Sequence, residues 1–164
     1  MSHNKGRVFW LIGQKGSGKT TLASKLYKFL QTEKRNWRRD VFHVDDTVLR
    51  ELYDNNDTTE YGQFLLTSLA QSLVTFLHNN GCDVVVSTIS PEQKQREKFK
   101  EKLGSDIQEI YVHTNTPDKR DLEVGYFEHY QEPESNFIDV DTTKDSPDKS
   151  FSKIINNLHK LNKL

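Results

Sequence analysis

The chain of 164 residues holds one cysteine, one methionine, four prolines and eight glycines. Each scarcity excludes something. A lone Cys82 rules out an internal disulfide framework and a cysteine-built zinc site, and it fits a reducing compartment. With so little proline and no Pro/Ser-rich tract, no linker divides the chain, so 1–164 reads as a single domain long enough to fold around its own core. No run approaches the roughly 20 apolar residues of a membrane span. The polar start Met1-Ser2-His3-Asn4-Lys5 lacks the apolar stretch of a signal peptide, so a soluble, cytoplasmic protein with no membrane partner is expected. The six histidines, His43, His113 and His129 among them, show no metal-ligand spacing.

What is present is distributed unevenly. The formal net charge is −1, yet residues 1–40 carry ten Lys/Arg against Glu33 and Asp40, a local balance of +8, and the remainder sums to −9. An anionic ligand near the N-terminal third follows. Gly13, Gly16 and Gly18 crowd into six positions of that same third, as a backbone requires when something must approach it closely.

Hydrophobic periodicity lays out one continuous α/β unit. Arg7–Ile12 reads as a buried strand, followed by the glycine cluster and a helix with Leu22, Ala23, Leu26 and Leu30 on one face. Val41–Val44 is a second strand. Tyr61–Asn80 is a long helix, ended by Gly81. Val84–Ile89, β-branched and nearly uncharged, suits a central parallel strand, after which Pro91 is expected to open a helix reaching about Leu103. Ile107–Val112 and Phe137–Val140 supply two more strands, and Phe151, Ile154, Ile155, Leu158 and Leu161 mark a final amphipathic helix. Five strands alternating with helices predict a parallel sheet flanked by helices.

Gly13-Gln14-Lys15-Gly16-Ser17-Gly18-Lys19-Thr20 satisfies GxxxxGK[ST] in full, between a strand and a helix. In such a P-loop (Walker A) sequence, consecutive backbone N–H groups point at phosphate oxygens around a helix N-terminus, and glycines keep that space clear. Gly13 through Thr21 are therefore the expected ATP-binding residues. Lys19 is expected between the β- and γ-phosphates, and the Thr20 hydroxyl on Mg²⁺. The bland alternative is a glycine-rich turn before a helix.

Directly after the second strand stands Val44-Asp45-Asp46-Thr47-Val48-Leu49-Arg50. Strand ends are where α/β folds hold ligands. A carboxylate there, Asp45 in preference to Asp46, either accepts the proton of an attacking hydroxyl or orients Mg²⁺, and Arg50 is placed to clamp an acceptor's phosphate. Asp at such a boundary also serves simply as a helix N-cap.

These stretches together resemble the adenylylsulfate (APS) kinase family across nearly the whole chain. Val8-Phe9-Trp10-Leu11 with the loop to Thr20-Thr21-Leu22-Ala23 is similar to the family's opening. Asp45 and Arg50 match its DGDxxR segment, Ser90-Pro91 and Arg96 its SPxxxxR turn, Arg120-Asp121 the start of its lid, and Tyr130 and Pro133 its YExP segment. The resemblance implies a P-loop NTPase-type kinase that transfers the ATP γ-phosphate to an alcohol, in that family the ribose 3′-hydroxyl of adenosine 5′-phosphosulfate. It also implies a lid over about 115–133, a catalytic Arg120, and acceptor contacts from Asp46, Arg50, Ser90 and Arg96. For Arg96, a solvated helix face shared with Lys94, Lys98 and Lys100 is the alternative. The departures are specific. DGD has become Asp45-Asp46-Thr47; Gln63 and Leu66 stand where the family's substrate-gripping arginine and asparagine fall; Glu123 replaces the lysine of KGLY; and the lid is shortened.

The donor half is thus retained and the acceptor half altered. Three readings follow: an adenylylsulfate kinase; a kinase of the same fold acting on another hydroxyl, in a nucleoside, nucleotide or polynucleotide; and an ATP-binding regulator without phosphotransfer. The expected partners are ATP and a small nucleotide-like acceptor, with a homodimer as the candidate assembly. The basic run Lys34-Arg35-Asn36-Trp37-Arg38-Arg39 reads either as a solvated loop or as a nucleic-acid contact in which Trp37 stacks on a base. Tyr126, Phe127, His129 and Tyr130 form an aromatic cluster that either stacks on a purine or packs the lid. Cys82 is expected buried and inert.

Overall fold

The computed structural model describes residues 5–37, 39–116 and 126–164, and the side chains of 34–37 are not among those described. Its elements are β1 (Val8–Ile12), α1 (Lys19–Trp37), β2 (Val41–Asp45), α2 (Asp46–Leu52), α3 (Glu60–Asn79), β3 (Asp83–Ser87), α4 (Gln93–Leu103), β4 (Ile107–His113), β5 (Phe137–Asp141) and α5 (Pro147–Lys160). All four strand pairings among the described residues are parallel, in the order β2-β3-β1-β4-β5. The expected five-stranded parallel sheet with helices on both faces is therefore what the chain forms.

Side-chain alternation splits the core into two layers. Val8, Trp10, Val84 and Val86 face α3 and α4 with Leu66, Ala70, Val74 and Phe99. Phe9, Leu11, Val85 and Val140 face α1 and α5 with Leu22, Leu26, Ile154 and Leu158. Trp10 meets Phe99 edge-to-face at 5.2 Å, and its Nε1–H donates to Thr88 Oγ1 at 2.8 Å, so the largest core side chain also satisfies its polar atom. Thr59 caps α3 by accepting from Gly62 N–H, and Ser146 caps α5 with Pro147 at its first turn. Among the described residues no helix is long and apolar enough to cross a membrane.

Two boundaries and one helix differ from expectation by more than a residue, all at the site end of the sheet. β3 stops at Ser87 rather than Ile89, because Ile89 spends its N–H on Asp46 Oδ2 and its carbonyl on Gly13 N–H. α4 begins at Gln93 rather than Pro91, whose carbonyl instead accepts Gln131 N–H at 3.0 Å. α2 is a seven-residue helix that the hydrophobic pattern did not announce. Cys82 is half-buried in the turn before β3, not buried within the strand.

Arg96 does not stand on a solvated helix face. It is fully buried in α4 and paired to Glu109 on β4 at 3.0 Å, with both side chains at 0 % exposure. Its Nη1 donates to Ser90 O at 2.7 Å and its Nη2 to Gln131 O at 2.5 Å, while Lys100 Nζ takes the other Glu109 oxygen at 2.7 Å. The arginine thus ties the turn after β3 and the stretch around Gln131 to the sheet. Breaking such a pair from one side leaves a buried carboxylate short of its partner, so Arg96→Ala is expected to cost about 3–5 kcal/mol in urea unfolding, whereas Lys98→Ala on the exposed face stays within about 0.5 kcal/mol.

Candidate active site

The loop between β1 and α1 is held close to the sheet by glycine geometry. Gly13 has φ +142°, and a Cβ built on it would stand 2.0 Å from the carbonyl oxygen of Val112 on β4. Any other residue would push the loop off the strand ends. Ser17 N–H returns to Gln14 O at 3.3 Å and Leu22 N–H to Gly18 O at 3.1 Å, so the loop runs directly into the first turn of α1. Lys19, 8 % exposed, donates from Nζ to Gln14 O at 2.6 Å.

Parallel register brings the other half of the site to this loop. Asp45 pairs with Ser87 across β2 and β3, and Ser87 with Leu11 on β1, so Asp45 and Ser87 emerge together on the α1 side of the sheet. Thr20 Oγ1 donates to Asp45 Oδ2 at 2.9 Å, Ser87 Oγ donates to the same oxygen at 2.7 Å, and Thr47 N–H donates to Oδ1 at 2.9 Å. The capping alternative for Asp45 is thus realised, and the same carboxylate also meets the loop threonine. Because the one Ser87 proton goes to Asp45, His43 Nε2–H is the donor in its 2.9 Å contact with Ser87 Oγ. Burial pushes the Asp45 carboxyl up, but the bonds from Ser87, Thr47 and Thr20 and the nearby His43 outweigh it and hold it below the ordinary range. Burial lowers His43 against the pull of Asp45.

Asp46 is a carboxylate in the opposite condition. Its Oδ2 accepts Ile89 N–H at 2.9 Å, and its buried Oδ1 makes no hydrogen bond. Burial pushes this carboxyl up to about 6, against the Ile89 N–H and Lys19. Arg50, one turn along α2, donates to the carbonyls of Asn55 at 3.3 Å and Asp57 at 2.9 Å, and to Gln63 Oε1 at 3.0 Å. Gln63 is fully buried and its Nε2 makes no hydrogen bond, while Leu66 belongs to the core.

A cavity of about 560 Å³ gathers Lys15, Gly16, Gly18, Lys19, Thr20 and Thr21 on one side and Asp45, Asp46, Thr47 and Arg50 on the other. Thr58, Ser87 and Ile89 complete it. Ser87 and Thr58 were missed by the sequence reading; the one available signal was a serine directly after the three valines of β3. Gly13, Gln14 and Ser17 are not part of this lining. Gln14 and Ser17 instead border a second cavity of about 530 Å³ with Tyr111, Tyr126 and Phe127, and Lys15 borders both. Ser90 is fully buried, with its hydroxyl 2.6 Å from Thr88 Oγ1, and does not line the first cavity. Arg120, the middle of the expected lid and Arg38 lie outside the described residues; Arg39 Nη1 stands 3.4 Å from Asp83.

The description "Adenylylsulphate kinase" belongs to the family model that matches residues 5–150. The chain belongs to this family. It is 29 % identical over 167 residues to a protein of Pyrococcus abyssi named probable adenylyl-sulfate kinase, covering 92 % of this chain and 94 % of the relative. It is 27 % identical over 156 residues to the cytidine diphosphoramidate kinase of Campylobacter jejuni, covering 94 % and 88 %. The APS kinase of Mycobacterium tuberculosis, solved with AMPPNP and APS, shares the fold at a TM-score of 0.77 and 22 % identity, over 94 % of this chain and 98 % of that one.

Within this family member the raised Asp46 carboxyl makes a stability prediction. The folded form binds its proton more tightly than the unfolded chain does, so stability falls as pH rises from the ordinary 3.8 through about 6 and is level above. Asp46→Asn removes that step and is expected to stabilise the protein by about 2–3 kcal/mol at pH 8, measured by urea unfolding at pH 5 and pH 8.

Proposed function

We propose that the protein transfers the γ-phosphoryl group of ATP to a hydroxyl of a nucleotide-like acceptor, adenylylsulfate being the first candidate. The observation that carries this reading is the 2.9 Å bond from Thr20 to Asp45, which joins the loop to a strand-end carboxylate inside one cavity. Backbone amides of the loop and Lys19 hold the donor's phosphates, which is where the positive balance of the N-terminal third is used.

Mg²⁺ fits the donor set. Among the described residues no cluster of three His, Cys, Asp or Glu could hold a metal alone, but magnesium in phosphoryl-transfer sites keeps its waters and takes few protein ligands. Thr20 and Asp45 would hold it, the first directly and the second as an orienting carboxylate, and the ion supplies neutralisation of phosphate charge. Asp45 already accepts three hydrogen bonds, which suits orientation better than proton removal. Asp46 lines the same cavity and its buried Oδ1 makes no hydrogen bond, so Asp46 is assigned the hydrogen bond of the attacking hydroxyl. Arg120 is assigned the transferring phosphoryl group on the strength of the family match at Arg120-Asp121.

A second acceptor class is favoured by Gln63. A neutral amide stands where the family pattern places an arginine, and Arg50 is tied to Gln63 and two loop carbonyls. Adenylyl-sulfate kinases and a cytidine diphosphoramidate kinase both stand among the relatives, so another nucleotide-linked acceptor is the alternative.

Incubation with γ-labelled ATP, Mg²⁺ and separate acceptors tests the reading: adenylylsulfate, cytidine diphosphoramidate, a free ribonucleoside and an oligonucleotide. Label moving to adenylylsulfate is expected; label moving to another compound selects the second class; ATP binding with no transfer to any would overturn the kinase reading. Lys19→Ala is expected to lower kcat/KM by about 10²–10³, and Asp46→Asn to lower kcat by about 10²–10⁴, each read from initial rates.

A further inference from the structure

Gln14 does something that a phosphate loop alone does not require. Its carboxamide pairs with both backbone groups of Phe127, 113 residues away: Nε2–H donates to the carbonyl, and Oε1 accepts the N–H at 3.1 Å. A side-chain amide here imitates one rung of a sheet ladder. The main-chain carbonyl of the same residue accepts Lys19 Nζ at 2.6 Å and Ser17 N–H at 3.3 Å. One residue is therefore bonded on one side to the lysine that starts α1 and on the other to the segment 126–133.

That segment walls the second cavity with Tyr126, Phe127 and Tyr130, opposite Gln14, Lys15 and Ser17. Its far end is fixed independently. Gln131 N–H donates to Pro91 O at 3.0 Å, Gln131 O accepts from Arg96, and Gln131 Oε1 accepts Gln93 N–H at 2.9 Å. Tyr130 stacks on Tyr111 at 6.1 Å and lies under the Arg96 guanidinium. At the Phe127 end the two Gln14 bonds supply the tie to the loop, and Phe127 itself is 6 % exposed. The segment is thus anchored at one end to α4 and the turn before it, and at the other to the loop between β1 and α1.

We propose that Gln14 is a positioning residue that couples what the loop binds to the placement of the 126–133 wall of the second cavity. The inference rests on the reading that the loop takes the phosphates of ATP. Carrying the Lys19 ammonium from the Gln14 carbonyl to a phosphate removes a cationic donor from that peptide, and the carboxamide transmits the readjustment to Phe127. Coupling of this kind is reciprocal, so whatever fills the second cavity acts back on nucleotide affinity.

Hydrogen exchange at the Phe127 amide, with and without Mg²⁺ and the imido analogue of ATP, tests the coupling, and calorimetry records nucleotide binding in the same samples. In the parent the analogue is expected to slow Phe127 exchange about tenfold, close to the net contribution of one hydrogen bond. In Gln14→Leu and Gln14→Ala, which keep the main-chain carbonyl and the loop amides, that nucleotide dependence is expected to vanish. A purely structural bond would speed exchange in the variants equally with and without nucleotide, and that result overturns the proposal. So does a parent that binds the analogue with no change at Phe127. A parent that shows no heat of nucleotide binding overturns the ATP reading itself, together with the inference built on it.

Discussion

The hydrogen bond between Thr20 and Asp45 is the constraint around which the site is arranged. It exists because β3 lies between β1 and β2 in a parallel sheet, so that the loop leaving β1, the end of β3 and the end of β2 all open on the same edge. With Asp45 opposite Ser87 and Ser87 opposite Leu11, a shift of one residue in either register would turn the carboxylate or the serine to the opposite face. The two hydrophobic layers fix that register. Val84 and Val86 belong to one layer and Val85 to the other, so slippage would turn valines out of their layers as well as dismantling the site.

Around this constraint the protein keeps several buried polar groups, which are costly unless partnered. Asp45 is fully engaged, Arg96 and Glu109 satisfy each other, and Asp46 Oδ1 and Gln63 Nε2 are among the buried polar atoms that make no hydrogen bond. Both adjoin Arg50: Gln63 bonds to it and Asp46 senses its charge. A buried polar group left without a partner is costly, and Asp46 is the one of the two that lines the cavity.

Much of the fold was legible because its signals are local. A short apolar run, a glycine-dense loop and helical periodicity located β1, the loop and α1, and the all-valine core of β3 announced a strand buried on both faces. The loop side of the first cavity was legible for the same reason: its residues lie between Lys15 and Thr21, contiguous and with a spacing that carries a physical meaning. What was not legible depended on contacts far apart in sequence. Nothing near Arg96 reveals that Glu109 lies beneath it, because Lys94, Lys98 and Lys100 make α4 look like a solvated face. Ser87, the Arg50–Gln63 bond and the Gln14–Phe127 pairing became visible once the strand order and the packing of α2 on α3 were known. α2 escaped notice because seven residues are too few to display a period.

A structure of the protein with Mg²⁺ and the imido analogue of ATP decides where the nucleotide sits. The triphosphate is expected in the cavity between the loop and α2, its oxygens on the amides of Gly16–Thr20 and its end facing Asp45 and Asp46. A triphosphate bound in the cavity lined by Tyr111 and Tyr126, away from Thr20 and Asp45, would contradict this placement.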